Sequence, residues 1–251
     1  AAACISGNCQ TVDSSNISLD TISFISPVDH AMRLAGSFGE LRSNHFHAGI
    51  DIKSATGEEG DTIRSVADGY VSRIRIQRAG YGQVLYIDHH NGLTTVYAHL
   101  QQFAPKLQQF IKERQSNNRS YEIDIYPDND RFAFQQGEPL GLMGNTGNSY
   151  GPHLHFEIRH TNSEVPVNPY LYDLGPTDSK APLLYAVDVH GLDSEHRKVY
   201  SQKVAISSKL PKAPTIEVPS WRCGIAIQTF DRMDGASNKN GIYQIQMLVD
   251  D

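Results

Sequence analysis

Three short segments concentrate the residues able to do metal or acid–base chemistry: His47-Ala48-Gly49-Ile50-Asp51, Tyr97-Ala98-His99-Leu100 and His153-Leu154-His155-Phe156-Glu157. Each alternates in the manner of a strand with one buried face. His47 and Asp51 fall on one side, with Ile50 and Ile52 on the other. His153, His155 and Glu157 share a side, and Leu154, Phe156 and Ile158 form the apolar one. A catalytic zinc takes three ligands from His, Asp, Glu or Cys and keeps a further position for water. An unliganded imidazole beside such a centre titrates near neutrality and can carry protons. His-x-x-x-Asp or His-x-His alone is a weak signal, because ordinary hydrogen-bonded histidines produce the same patterns. Their joint occurrence on apolar-alternating segments next to glycines points to a single site.

The elements that must position these residues are short strands. A glycine-rich loop, Gly144-Asn145-Thr146-Gly147-Asn148-Ser149-Tyr150-Gly151, precedes the His-x-His strand and lets another molecule approach the backbone. Residues 63–67, 70–77, 84–88 and 93–100 read as strands, and Asn91-Gly92 marks a hairpin that ends at His99. Residues 105–115 fit one amphipathic helix, and 121–126 with 131–134 read as a hairpin around Pro127-Asp128-Asn129-Asp130. Strands predicted at 183–189, 199–206, 221–230 and 242–249 suit a small β-sandwich. The chain ends directly after the last of these, which reads as a truncated sandwich. The expected organisation is a lead-in over 1–25, a principal domain over 26–178 and a sandwich-like module over 179–251.

The chain has 251 residues, 39% hydrophobic and 20% charged, enough for a sizeable core. A formal net charge of -6 gives no general attraction to nucleic acid, and no run has the length of a membrane span. Ala1-Ala2-Ala3 before Cys4 reads as a cleavage remnant or as the end of a lipobox with Cys4 lipidated. Cys4 and Cys9 either close a small disulfide loop or stay free, and Cys223 is the odd cysteine. Gly144-x-x-Gly147 is not a phosphate loop, since no Lys-Ser/Thr follows and a strand comes next. No Gly-x-Ser-x-Gly elbow is present. His45 reads as a surface or supporting residue, and His89 and His90 as solvated turn residues.

The combined motifs resemble lysostaphin-type (LytM-like) zinc metallopeptidases. The likeness extends through Asn44 to Ile52, Ala67-Asp68-Gly69-Tyr70-Val71, Gly80-Tyr81-Gly82 and Gly144 to Pro152, covering about residues 34–170. It implies an all-β fold: an antiparallel-sheet groove of the lysostaphin-like peptidase type with a helix-hairpin insertion, followed by the partial β-sandwich. It implies one Zn2+ held by His47, Asp51 and His155, with His99 and His153 as the two unliganded active-site histidines. We assign His153 as the base and His99 as the oxyanion donor; the reverse stays open at this point. Asn44, Tyr81, Asn148 and Tyr150 are candidate groove walls for substrate. The resemblance further implies cleavage of peptidoglycan cross-links through their stem peptides, D-Ala–diaminopimelate first and glycyl bonds second, in the periplasm or outside the cell. The alternative is a non-catalytic wall-binding or hydrolase-activating module. The stretch between His99 and His153 is longer than the compact form of the family has, which leaves substrate range open.

Overall fold

The computed structural model describes residues 23–128, 131–205 and 216–247. Cys4, Cys9 and nearly all of the lead-in lie outside the described residues. The chain forms two compact units, Asp178–Ile242 being the second, and the first comprising the chain before it and the segment from Tyr243.

The first unit is built on antiparallel strands: β1 (Leu34–Gly36), β2 (Ile50–Lys53), β3 (Thr62–Arg64), β4 (Gly69–Ile76), β5 (Gln83–Asp88), β6 (Leu93–Ala98) and β7 (Leu100–Phe103). After helix α1 (Pro105–Asn118) come β8 (Ile123–Ile125), β9 (Ala133–Phe134), β10 (Pro139–Met143), β11 (His153–His160) and β12 (Pro166–Val167). The main sheet runs β1-β2-β11-β6-β5-β4-β8, with β12 added to β11 and β9 to β4. A second sheet runs β3-β10-β7. The fold is therefore mostly β and antiparallel, as the alternation predicts.

The alternation decides which face is dry. Ile50 and Ile52 on β2, Leu154, Phe156 and Ile158 on β11, and Leu85 and Ile87 on β5 are fully buried. Tyr97 packs edge-on against Phe156, and its hydroxyl receives the Val66 amide. The opposite face is covered in its centre by Val84, Tyr86, Val96 and Ala98 with Tyr81 against them. All six residues of β6 are thus buried, a central strand flanked on both faces.

Helix α1 begins on a proline, which suits a first turn whose amides need no partner, and buries Leu107, Phe110 and Ile111. It ends at a left-handed Arg119. The hairpin expected over 121–134 does not form. β8 and β9 both pair with β4, β8 at Ile74–Ile76 and β9 at Gly69–Tyr70, instead of with each other. The Arg73–Asp124 ion pair, 2.6 Å, and the Arg73 guanidinium over the Tyr126 ring fasten β8 to β4.

In the second unit β13 (Leu183–Leu192) pairs with β14 (Lys198–Ala205) on one edge and β15 (Arg222–Phe230) on the other. Where a β-sandwich is expected, the described residues form one three-stranded sheet, and residues 242–247 are not a strand. Cys223 is exposed and unpaired.

Candidate metal centre and catalytic cleft

Strand β11 lies between β2 and β6, and its register puts His155 opposite Asp51 on one side and Ala98 on the other. That register brings together segments distant in sequence. Gly49 lets β2 and β11 approach this closely, because a Cβ there would enter the Phe156 carbonyl oxygen. His47, just before β2, completes the cluster. Its Nε2 is 3.1 Å from Asp51 Oδ1 and 3.0 Å from His155 Nδ1, and His155 Nδ1 is 2.9 Å from the same Oδ1. All three side chains are buried.

The outer atoms of these groups fix what the inner ones can be. His47 Nδ1–H donates to the Ser37 carbonyl at 2.8 Å, so the neutral ring keeps its lone pair on Nε2. His155 Nε2–H donates to Glu157 Oε1 at 2.7 Å, so its lone pair is on Nδ1. Arg42 Nη2 holds Asp51 Oδ2 at 2.9 Å and leaves Oδ1 facing inward. Two imidazole lone pairs and a carboxylate oxygen thus converge on one point, which demands a cation: a proton or a metal ion. Burial opposes charge on His155, but Asp51 and Glu157 on either side outweigh it and push the imidazole up to about 9. Burial likewise works against ionised Asp51, and the His155 and His47 imidazoles against it still hold it far below the usual carboxylate range. The donor set of two histidines and one carboxylate fits zinc.

Glu157 is fully buried, and burial would raise it; His155 and then Arg159, whose Nε is 2.6 Å away, bring it down to about 2. The Tyr81 hydroxyl donates to the same carboxylate at 2.5 Å, and its ring stacks on His155 with centroids 5.1 Å apart. Tyr81 therefore orients a ligand as well as walling the groove.

His99 stands where the chain passes from β6 in one sheet to β7 in the other, with a left-handed φ of 62° that L residues adopt at a cost. Its amide donates to the Tyr81 carbonyl and its Nδ1–H to the Thr146 carbonyl at 2.7 Å, so Nε2 is the remaining acceptor. Burial, and then the neighbouring His153, lower its pKa to about 4. His153 Nδ1 is 2.8 Å from the Gly151 carbonyl, and its Nε2 lies 3.6 Å from Asp51 Oδ1. The two rings are 4.7 Å apart.

A cleft of about 1100 Å³ opens over this cluster, and Asn44, Tyr81, Asn148 and Tyr150 all line it with His47, His99, His153 and His155. Its glycine-rich rim is fastened to the turn before β5. Asn148 N donates to the Gly80 carbonyl at 2.8 Å, and a Cβ on Gly82 or Gly147, both at positive φ, would enter the other segment's backbone. Tyr150 is fully exposed at the rim. His45 also lines the cleft, is exposed and contacts Asn44; it is outside the metal-binding group. His89 departs from expectation. It is buried, with Nδ1 on the Asp68 carbonyl and Nε2 on Thr95 Oγ1, while His90 is exposed.

The sequence profile of peptidase family M23 matches residues 45–116 and 133–169, which include all five of these histidine and aspartate positions. Over these two blocks the chain is similar to peptidase family M23. The unmatched residues between those blocks are the end of α1, β8 and the turn after it, so the M23-like core is interrupted where the chain is longest. The DD-carboxypeptidase/endopeptidase Mpg of Neisseria meningitidis serogroup B is 33% identical over 142 residues, 55% of this chain and 26% of that one. The murein hydrolase activator NlpD of Salmonella typhimurium is 31% identical over 124 residues, 49% of this chain and 25% of that one. The chain thus spans about a quarter of the length of these curated relatives. A zinc-containing peptidase from Vibrio cholerae aligns at 25% identity and a TM-score of 0.44, over 61% of this chain and 41% of that structure.

Arg42 and Arg159 are the site residues that motif reasoning did not single out. Alternation already places Glu157 on the histidine face, so it was legible. Nothing in sequence ties Arg42 to Asp51.

Proposed function

We propose that this chain is a zinc-dependent endopeptidase that hydrolyses peptide cross-links in bacterial peptidoglycan, D-Ala–diaminopimelate first, in the periplasm or outside the cell. The observation that carries the reading is the convergence of His47 Nε2, Asp51 Oδ1 and His155 Nδ1 beneath a cleft that two further imidazoles also line. The names of the relatives, a carboxypeptidase/endopeptidase and a murein hydrolase activator, support the cell-wall setting.

His47, Asp51 and His155 would hold one Zn2+, which when bound supplies Lewis acidity for a water and for the scissile carbonyl. His99, neutral at pH 7 with Nε2 as its acceptor, is placed to take a proton from the attacking water and pass it to the leaving amine. His153 Nδ1–H donates to the Gly151 carbonyl in the same way, so its Nε2 is likewise the acceptor of the neutral ring. With Nε2 of both rings free of backbone partners, either can act as the base while the other, once protonated, donates to the oxyanion.

The rival reading, a hydrolase-activating module, draws on the NlpD relative. Incubating the zinc-loaded chain with purified cross-linked muropeptides, with His155→Ala as control, separates the two. Mass spectrometry should show new termini with the wild-type chain only. A zinc-loaded chain that leaves every cross-link intact overturns the enzymatic reading.

A further inference from the structure

The cleft carries charge of one sign, against the sign of the whole chain. The chain as a whole is net -6, yet among the described residues three cations, Arg33, Arg42 and Lys53, line the cleft, and the one lining carboxylate is that of Asp51. Arg42 is committed to that carboxylate. The other two stand together at one end. Lys53 pairs across the sheet with His153 and follows Asp51 on the same face of β2. Its amide donates to the Arg33 carbonyl at 2.8 Å.

Arg33 is held in place without being neutralised. Its Nη2 donates to the Ser54 and Ala55 carbonyls at 3.2 and 2.7 Å, and among the described residues it has no carboxylate partner. Of the acids on this loop, Glu58 and Glu59 are exposed and do not line the cleft, and Asp61 is taken up by the Ala55 amide at 2.7 Å and by His30 at 3.4 Å. A guanidinium fixed by backbone carbonyls, with Nε and Nη1 still available as donors, is pre-organised for an anion.

We infer that Arg33 selects substrates with a free carboxylate on the residue flanking the scissile bond. Two residues of strand separate Lys53 from Asp51, about 7 Å of rise. That is within reach of a carboxylate one residue away from a carbonyl held at the metal cluster. The substrate class is a peptide whose flanking residue is a diamino dicarboxylic acid or a chain terminus; a glycyl bridge or an amidated residue lacks the group. The identity of the substrate rests on the peptidase reading, but the charge preference does not.

The test compares two cross-linked muropeptide dimers that differ only in whether the diaminopimelate carboxyl is free or amidated. Equilibrium binding and cleavage are both measured on the full zinc-loaded chain. The free form should bind at least tenfold more tightly, and raising the salt concentration should narrow the gap. Arg33→Gln should bring the ratio near one, and Arg33→Lys should restore part of it. Equal binding of the two forms, or an Arg33→Gln chain that keeps the full ratio, overturns the inference. Binding that discriminates without any cleavage would sink the peptidase reading and leave this one standing. Cleavage of both forms alike would do the opposite.

Discussion

A metal ligand is only as good as the group behind it. Glu157 fixes which nitrogen of His155 faces the cluster, and Arg159 and Tyr81 fix Glu157. Replacing Glu157 with Gln keeps the shape but removes the charge that favours an Nε2–H donor. Zinc affinity should fall about 10- to 100-fold, read by competition with a chromophoric chelator. Affinity within a factor of two of wild type would mean that His155 is oriented by packing alone. Tyr81→Phe tests the same support more gently. The ring still stacks on His155 while the 2.5 Å bond to Glu157 is lost, for about 1–2 kcal/mol in urea unfolding. Because the proton that His155 would hold up to about 9 competes with a metal, zinc affinity should also rise with pH through the neutral range and level off above about 9. A pH-independent affinity would contradict the convergent lone pairs. The grouping of His47, Asp51 and His155 was legible in the sequence, since all three were picked out by alternation and resemblance. Their supports were legible only where they share a strand with a ligand, as Glu157 does. Arg42 and the Ser37 carbonyl reach the site through loop paths that no periodicity encodes.

At the scale of elements, the site depends on how closely three strands approach one another. Gly49, just before β2, lies tight against β11, where a methyl group would overlap the Phe156 carbonyl oxygen and crowd the Glu157 side chain. Gly49→Ala should therefore cost more than about 2 kcal/mol and weaken zinc binding as well, because the overlap is relieved only by moving His47 and Asp51 away from His155. A stable variant with unchanged metal affinity would show that the backbone there is softer than the structure implies. The same reasoning explains which elements sequence could foresee. Strands β4, β5, β6 and β11 announce themselves through alternation, and the Asn91-Gly92 turn fixes one hairpin. The partners of β8 and β9 do not follow from local signals. Two short alternating runs around Pro127 read as a hairpin, but Asp124 and Tyr126 both find Arg73 on β4, and that long-range pairing wins. The second sheet of the C-terminal unit was inferred from strand spacing alone, and spacing does not distinguish a sandwich from one three-stranded sheet.

For the whole molecule, the buried histidine outside the cleft sets a pH limit on folding. His89 is 4% exposed. Burial lowers its pKa, with the Asp68 carbonyl and the Asp88 charge only partly opposing. An unfolded chain takes up a proton here as pH falls through about 6.5, while the folded chain refuses it until lower pH. Stability from this residue is therefore fully present above about 6.5 and is lost as the pH drops from there toward the folded pKa, at up to about 1.4 kcal/mol per pH unit. His89→Gln keeps a polar group near the Asp68 carbonyl and Thr95 but cannot be protonated. Melting temperatures of the two chains between pH 5 and 8 should differ by a constant offset above neutrality and converge in acid. Losses shared by both chains, such as release of a bound metal, cancel in that difference. Curves that stay parallel down to pH 5 would show that His89 takes up its proton without unfolding, and the limit would then lie in Asp51, Glu157 and the ion pairs that hold them.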